Sequence, residues 1–149
     1  MPAEQEFDQQ VRLTVMRHFV DTGAPPAPVD LAADLAVAPV QVEQSYRRLA
    51  DGRIFVLASG STYIWMANPL SALPTPFRVF VGGRRWWAPC IWDALGAVAM
   101  LGGTGRVETR CPDCAENLTV EVDDGRVQGS GIVHFSVPAR HWWDDIGFN

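Results

Sequence analysis

The feature that most constrains the fold of this chain is a change of hydrophobic period across one proline-rich segment. Before residue 68 most apolar residues recur at helical spacing, with a short hairpin pattern at the end of this part, and after residue 76 apolar and polar residues alternate as they do in strands. The segment between them, 68–76, carries three prolines and is predicted to be a linker. We therefore expect an α+β chain in two parts, residues 1–67 and 77–149.

The first part is predicted to contain three helices and a β-hairpin. The spacing predicts helices over 5–22, 30–36 and 40–51 and strands over 53–57 and 62–66, with Gly60 in the turn. Gly23 ends the first helix and Asp30 can cap the second. Three helices followed by a hairpin is the outline of a winged helix. We expect a winged-helix-like domain over residues 1–67.

The second part is predicted to be mostly β, with one buried helix. Strands are expected at 77–81, 85–88, 106–110, 118–122 and 132–137. The pairs Gly82-Gly83 and Asp124-Gly125 are typical of hairpin turns. The apolar run 91–101 reads as a short helix that Gly102-Gly103 closes.

Composition excludes several classes of protein. The formal net charge is −5, which argues against a nucleic acid or an anionic membrane held by bulk electrostatics. No apolar run approaches the roughly 20 residues of a membrane span, and the polar N-terminus is unlike a signal peptide, so we expect a cytoplasmic protein. Three cysteines in a reducing compartment indicate free thiols, metal ligands or a redox pair.

The strongest chemical signal is a cysteine and an aspartate at the start of the predicted apolar helix. Cys90 opens this helix, where the positive end of the dipole favours a thiolate, and Asp93 lies one turn further on the same face. A thiolate captures a soft metal and a carboxyl group carries a proton. The same residues would also fit a small buried thiol and a helix-capping carboxylate.

Three segments resemble the organomercurial (alkylmercury) lyases. They are Arg85–Leu95 with its Pro-Cys-Ile-Trp-Asp run, Val107–Pro112, and the Val-His-Phe run of Val133–Val137. The resemblance implies protonolysis of carbon–mercury bonds without a cofactor, on a winged-helix-like first domain and a lyase-like core. In that family two cysteines and one aspartate hold mercury and deliver the proton. Two of these roles fall on Cys90 and Asp93.

The third role in that family belongs to a second cysteine, and this chain has no cysteine at the matching position. The resemblance places the second catalytic cysteine at Ser130, just before the Val-His-Phe run. Serine is a hard and weak ligand for mercury. The resemblance therefore leaves two functions open, a lyase-like enzyme and a protein that binds or senses a soft metal without turnover.

Cys111 and Cys114 form a C-x-x-C pair with several readings. The pair is half of a chelating site, so a structural zinc site would need His134, His141 or an acid to complete it. A redox pair is less favoured because the flanking pattern is β. The resemblance makes Cys111 mainly a core residue. Cys114 could supply the missing thiol if its loop folds over Cys90, so we count both cysteines among the candidate metal ligands.

Aromatic residues surround the candidate site in the sequence. Trp86, Trp87 and Trp92, with Ser130, are predicted to line a substrate pocket that excludes water, although core packing explains such residues equally well. His134 lies in an apolar run and reads as a structural histidine. The final stretch, 141–146, is predicted to be a short helix.

A third candidate function is a winged-helix regulator that binds DNA. Residues 1–67 hold five Arg against eight Asp and Glu, a net charge of −3, and DNA-binding domains usually carry the opposite sign. The partners expected from the sequence are therefore a small organometallic compound or a soft metal ion such as Hg(II), together with small thiols. We expect no membrane and no nucleic acid among them.

Overall fold

Four α-helices and eight strands make up residues 2–147, the part of the chain that this computed structural model describes. The helices are α1 (Pro2–Thr22), α2 (Pro28–Leu35), α3 (Pro39–Asp51) and α4 (Ile91–Met100). The strands are β1 (Phe55–Leu57), β2 (Ile64–Ala67), β3 (Leu70–Ser71), β4 (Phe77–Val81), β5 (Arg84–Ala88), β6 (Gly105–Arg110), β7 (Asn117–Asp123) and β8 (Arg126–Gln128). A 3₁₀ helix covers Ala139–Asp144.

The three N-terminal helices pack through faces that the sequence spacing defines. Val11, Val15 and Phe19 are four residues apart on α1, and all three are fully buried. Pro28 and Pro39 begin α2 and α3, where a missing backbone N–H removes no helical hydrogen bond. These helices and the following β1–β2 hairpin lie where the sequence predicts them, while the winged-helix assignment itself stays a prediction.

A polar contact fixes α1 against α3. The carboxylate of Asp8 accepts a hydrogen bond of 2.6 Å from Ser45 Oγ and bonds of 2.9 and 2.7 Å from Arg48. These contacts, the one with Arg48 above all, lower the pKa of Asp8 even though partial burial works against them. Ser45 is fully buried, so its hydroxyl depends on Asp8 for a partner.

All eight strands form one antiparallel sheet. The strand order is β1-β2-β3-β5-β4-β6-β7-β8. The short strand β3 pairs with β2 and, through Ser71 and Trp87, with β5. Leu70 and Ser71, which lie inside the predicted linker, are buried and paired into the sheet. The division into residues 1–67 and 77–149 stays a prediction, although one sheet runs through both.

The α+β class is confirmed, but one predicted strand is wrong. Residues 132–137 have no regular structure, and Ile132 is 95% exposed. His134, read as a structural histidine in this strand, is exposed as well. The last strand is instead β8, which pairs with β7 across the predicted Asp124-Gly125 turn. The predicted short helix near the C-terminus is present as the 3₁₀ helix, and its Trp143 ring lies 5.6 Å from the guanidinium of Arg53.

Helix α4 rests on the middle of the sheet and brings the candidate residues to one end of it. Ala94, Ala97 and Val98 are fully buried, and such small side chains let the helix approach β4, β5 and β6 closely. The end of β5 is held by Thr75, whose hydroxyl donates a hydrogen bond of 2.6 Å to the Ala88 carbonyl. Cys90 follows two residues later. The fold thus fixes its backbone from both the strand side and the helix side.

We expect Gly105→Ala to destabilise the sheet at the point where β4 meets β6. A Cβ at Gly105 would collide with the carbonyl oxygen of Phe80 and lie 2.8 Å from Val81 Cγ2. Overpacking against strand backbone costs about 2–3 kcal/mol, which lowers the melting temperature by roughly 5–10 °C. Gly131→Ala is the matched control, because a Cβ there meets no heavy atom within 4 Å. Equal melting temperatures for the two variants in thermal unfolding by circular dichroism would contradict this packing.

Candidate active site

Cys90 and Asp93 are in direct contact at the N-terminus of α4. Cys90 is the N-cap residue, with extended backbone angles of φ −147° and ψ 178°. Its carbonyl accepts a hydrogen bond of 2.9 Å from the backbone N–H of Ala94, which starts the helix. The thiol of Cys90 donates a hydrogen bond of 3.1 Å to Oδ2 of Asp93. The three-residue spacing seen in the sequence therefore produces a thiol–carboxyl pair.

Burial determines the protonation of this thiol. The pKa of Cys90 is raised to about 11, chiefly by burial and in smaller part by the hydrogen bond and the charge of the Asp93 carboxylate. The backbone N–H groups of Asp93 and Trp92 act in the opposite direction and are outweighed. The sequence predicts that the helix N-terminus favours a thiolate at Cys90; burial acts against this and favours the protonated thiol at neutral pH. Loss of hydration exceeds the effect of the helix N-terminus.

The pKa of the Asp93 carboxyl group is also raised. Burial raises the pKa of its carboxyl group above the ordinary 3.8, and the hydrogen bond from Cys90 offsets part of that rise. The side chains of both residues are half-buried, so they are neither sealed in hydrocarbon nor fully hydrated. The Cys90 sulfur therefore carries a proton of low acidity, next to the Asp93 carboxylate that can accept this proton.

The tryptophans near this pair have different surroundings. Trp86 is 4% exposed, and its Nε1 donates a hydrogen bond of 3.1 Å to the Val20 carbonyl at the end of α1. Trp87 is half-buried and faces the guanidinium of Arg85 at 5.7 Å. Trp92 is 67% exposed and lies between Cys90 and Asp93 in the chain. Trp86 therefore ties β5 to α1, and a pocket role for the three indoles stays a prediction.

Ser130 and the two other cysteines are not joined to the Cys90–Asp93 pair by any contact that the described residues show. Ser130 is exposed in the irregular segment after β8, and no hydrogen bond within residues 2–147 joins it to Cys90. Cys111 and Cys114 occupy the turn between β6 and β7. In the described chain, no three or more Cys, His, Asp or Glu side chains gather where they could hold one metal ion. The structure thus brings Cys90 and Asp93 together without Cys111, Cys114 or a zinc-like ligand set.

Two open clefts on the surface lie away from the thiol. One of about 610 Å³ is bounded by the Gly82–Gly83 turn and the ends of β6 and β7. The other, of about 320 Å³, lies between α2, α3 and the β1–β2 hairpin. Neither is lined by Cys90, Asp93 or the predicted pocket residues.

Sequence reasoning also missed Thr75, whose only signal was its place between two prolines ahead of a strand.

Within residues 2–147, no helix has the length and apolar character to cross a membrane.

Comparisons with known proteins bear on the architecture and on the family. No curated protein matches the sequence. A solved structure titled "Crystal structure of the mercury-bound form of MerB2" superposes with a TM-score of 0.61 at 19% identity. The superposition covers 87% of this chain and 67% of that one, and at this identity it concerns the fold alone.

A family model gives the relationship more directly. The model described as "MerB: Alkylmercury lyase" matches residues 70–148, just over half of the chain. The matched range contains Cys90, Asp93 and Ser130. The resemblance noted in the sequence is thereby confirmed, and the chain belongs to the alkylmercury lyase family.

Proposed function

We propose that this protein cleaves carbon–mercury bonds by protonolysis, with Cys90 as the mercury ligand and Asp93 as the proton carrier. The observation that carries the proposal is the 3.1 Å hydrogen bond from the Cys90 thiol to the Asp93 carboxylate. Sulfur is the ligand that mercury prefers, and a carboxyl group within hydrogen-bond reach is a suitable general acid. Membership of the alkylmercury lyase family supports the same chemistry.

The first step is ligand exchange on mercury. An organomercurial enters as the adduct of a small thiol, and the sulfur of Cys90 bonds to mercury while its proton passes to Asp93. The small thiol leaves as mercury changes partner. The high pKa of Cys90 is no obstacle here, because the base that accepts the proton is already hydrogen-bonded to the thiol.

The second step breaks the carbon–mercury bond. The proton on Asp93 moves to the carbon, the bonding electron pair of the carbon–mercury bond goes with that carbon, and a hydrocarbon leaves. Hg(II) stays on Cys90 and takes a second thiol from solution. Partial burial favours the protonated form of Asp93 between the two steps, since it raises the pKa of that carboxyl group.

A second candidate function is retention of a soft metal without turnover. The observation that favours it is Ser130, which stands where the resemblance places a second catalytic cysteine and lies exposed in an irregular segment. With one sulfur instead of two, less electron density reaches mercury and the carbon–mercury bond is harder to break. In this case the protein would bind the organomercurial through Cys90 and release nothing.

One assay separates the two functions. Purified protein is incubated with methylmercury and excess small thiol, and methane in the headspace is measured by gas chromatography. The reaction is repeated in deuterium oxide, where the exchangeable protons of Cys90 and Asp93 predict singly deuterated methane. Methane above the protein-free control supports protonolysis. Bound mercury without methane supports the second function and contradicts the first.

A further inference from the structure

The turn between β6 and β7 carries the remaining two cysteines. The backbone N–H of Cys111 donates a hydrogen bond of 2.9 Å to the Glu116 carbonyl, and the N–H of Ala115 donates one of 2.9 Å to the Cys111 carbonyl. Ala115 adopts a left-handed conformation with φ 60°, which reverses the chain after Cys114. The turn therefore holds two free cysteines, three residues apart, within one tight reversal of the chain.

In this turn, hydrogen-bond donors act on the sulfur of Cys111. The backbone N–H groups of Cys114 and Asp113 are directed at the Cys111 sulfur and, together with the Cys114 thiol, lower the pKa of Cys111. Cys114 is exposed and Cys111 is partly so. The chain therefore has a protonated thiol in a half-buried site at Cys90 and an accessible pair of thiols on its surface, of which Cys111 has the lowered pKa.

We propose that Cys111 and Cys114 form a second metal site, which holds one soft ion such as Hg(II) through two sulfur atoms. Soft thiolate ligands select soft, thiophilic ions, and Hg(II) is satisfied by two of them. Zinc normally takes four ligands, and residues 2–147 offer no group of three that includes this pair. On binding, both S–H bonds break, two S–Hg bonds form, and two protons go to solvent. The proposal does not depend on lyase activity.

The sheet separates this dithiol from Cys90. Strand β4 pairs with β5 on one side, through Phe77 and Ala88, and with β6 on the other, through Arg78 and Glu108. The ends of β5 and β6 therefore lie at the same edge, two strand spacings or about 10 Å apart. Cys90 follows β5 and Cys111 follows β6. Residues 2–147 contain no group in which the dithiol joins Cys90 and Asp93, so we infer a separate ion for each site.

Titration of the full chain with mercuric chloride tests the proposal. The background is Cys90→Ser, with a small monothiol present as competitor. This variant should hold one Hg(II) per chain after gel filtration, with the ultraviolet absorption of sulfur–mercury charge transfer on the protein, and in a parallel titration without competitor the uptake should release two protons. Adding Cys114→Ser removes the chelate and should weaken binding by roughly 10²–10⁴-fold. Adding Asp113→Asn, an exposed change between the two cysteines, is the matched control and should keep the tight site.

Three outcomes would overturn the proposal. The first is a Cys90→Ser chain that takes up no Hg(II) against the competitor. The second is tight binding that survives Cys114→Ser, an exposed substitution that should leave folding intact. The third is an ion that bridges two chains, seen as a doubled mass in light scattering. Tight binding by Cys90→Ser, combined with no methane from the parent protein, would contradict the proposed lyase function and leave the dithiol site standing.

Discussion

Replacing Cys90 by serine is expected to lower methane release from methylmercury at least ~1000-fold, equivalent to about 4 kcal/mol of transition-state stabilisation. The hydroxyl can keep the hydrogen bond to Asp93 that the thiol makes at 3.1 Å, so the change is chiefly one of ligand softness. Oxygen is a poor ligand for mercury, and the exchange step then has no nucleophile that can compete with a thiol in solution. Thermal unfolding should be nearly unchanged, because the two side chains are similar in shape.

A control with another sulfur on the same helix makes this test specific. Met100 lies at the far end of α4 and is 46% exposed, so Met100→Leu removes an accessible thioether without touching the Cys90–Asp93 pair. It should retain the methane release of the parent protein. If Cys90→Ser also retained that release, mercury capture would have to occur elsewhere and the proposed role of Cys90 would be wrong.

The parts of the fold with a strong period were predictable from sequence. Helices were expected over 5–22, 30–36 and 40–51, and α1, α2 and α3 occupy nearly the same ranges. The reason is that residues such as Val11, Val15 and Phe19 repeat over several turns and are all buried together. Hairpin turns at Gly82-Gly83 and Asp124-Gly125 carry an equally local signal, since glycine adopts positive φ there at little cost.

Elements that depend on distant partners were not predictable. Strand β3 has two residues, too few for any alternation, and it exists because β2 and β5 lie on either side of it. Residues 132–137 show the reverse case: their alternation is typical of a strand, yet no strand within residues 2–147 pairs with them and Ile132 is almost fully exposed. Strand formation requires a neighbour, which a single segment does not specify.

For the candidate site, the spacing in the sequence predicted which residues are in contact, but the sequence did not predict how deeply those residues are buried. The three-residue separation of Cys90 and Asp93 predicts their contact, because it depends only on helix geometry. Their protonation depends on how much water the folded chain removes, and burial reverses the thiolate expected from the helix dipole. The position of Ser130 relative to the pair depends on the path of the chain after β8, which no local pattern fixes.

Asp93→Asn is expected to separate mercury binding from carbon–mercury cleavage. The amide cannot carry a proton, so the rate of methane release should fall by roughly 10²–10⁴-fold. Loss of the carboxylate removes its charge and leaves a weaker, neutral hydrogen-bond acceptor, and both the charge and the hydrogen bond raise the pKa of Cys90. The pKa of Cys90 should therefore fall relative to the parent, and equilibrium binding of methylmercury should be kept, with the thiol proton passing to solvent instead of Asp93. A single-turnover experiment measures binding and release separately.

The pH dependence of the parent protein has a defined sign. The proposed mechanism needs Asp93 ionised when the thiol gives up its proton, so activity should be low in acid and rise as pH passes through the raised pKa of Asp93. That midpoint should lie above the ordinary carboxyl value of 3.8. The thiol stays protonated until pH approaches about 11, so no loss of activity from Cys90 ionisation is expected near neutrality.

Stability gives an independent measure of the same carboxyl group. Because the folded pKa of Asp93 is raised, the folded state favours the protonated carboxyl, and the parent loses stability as pH rises through the unfolded and folded pKa values. Asp93→Asn should thus melt higher than the parent at neutral pH and at nearly the same temperature in acid. Asp124→Asn is the matched control, since Asp124 is exposed in a left-handed turn position that asparagine tolerates. If Asp93→Asn released methane at the parent rate while showing this stability gain, the carboxyl group would be a buried capping residue and the proton would have to come from solvent.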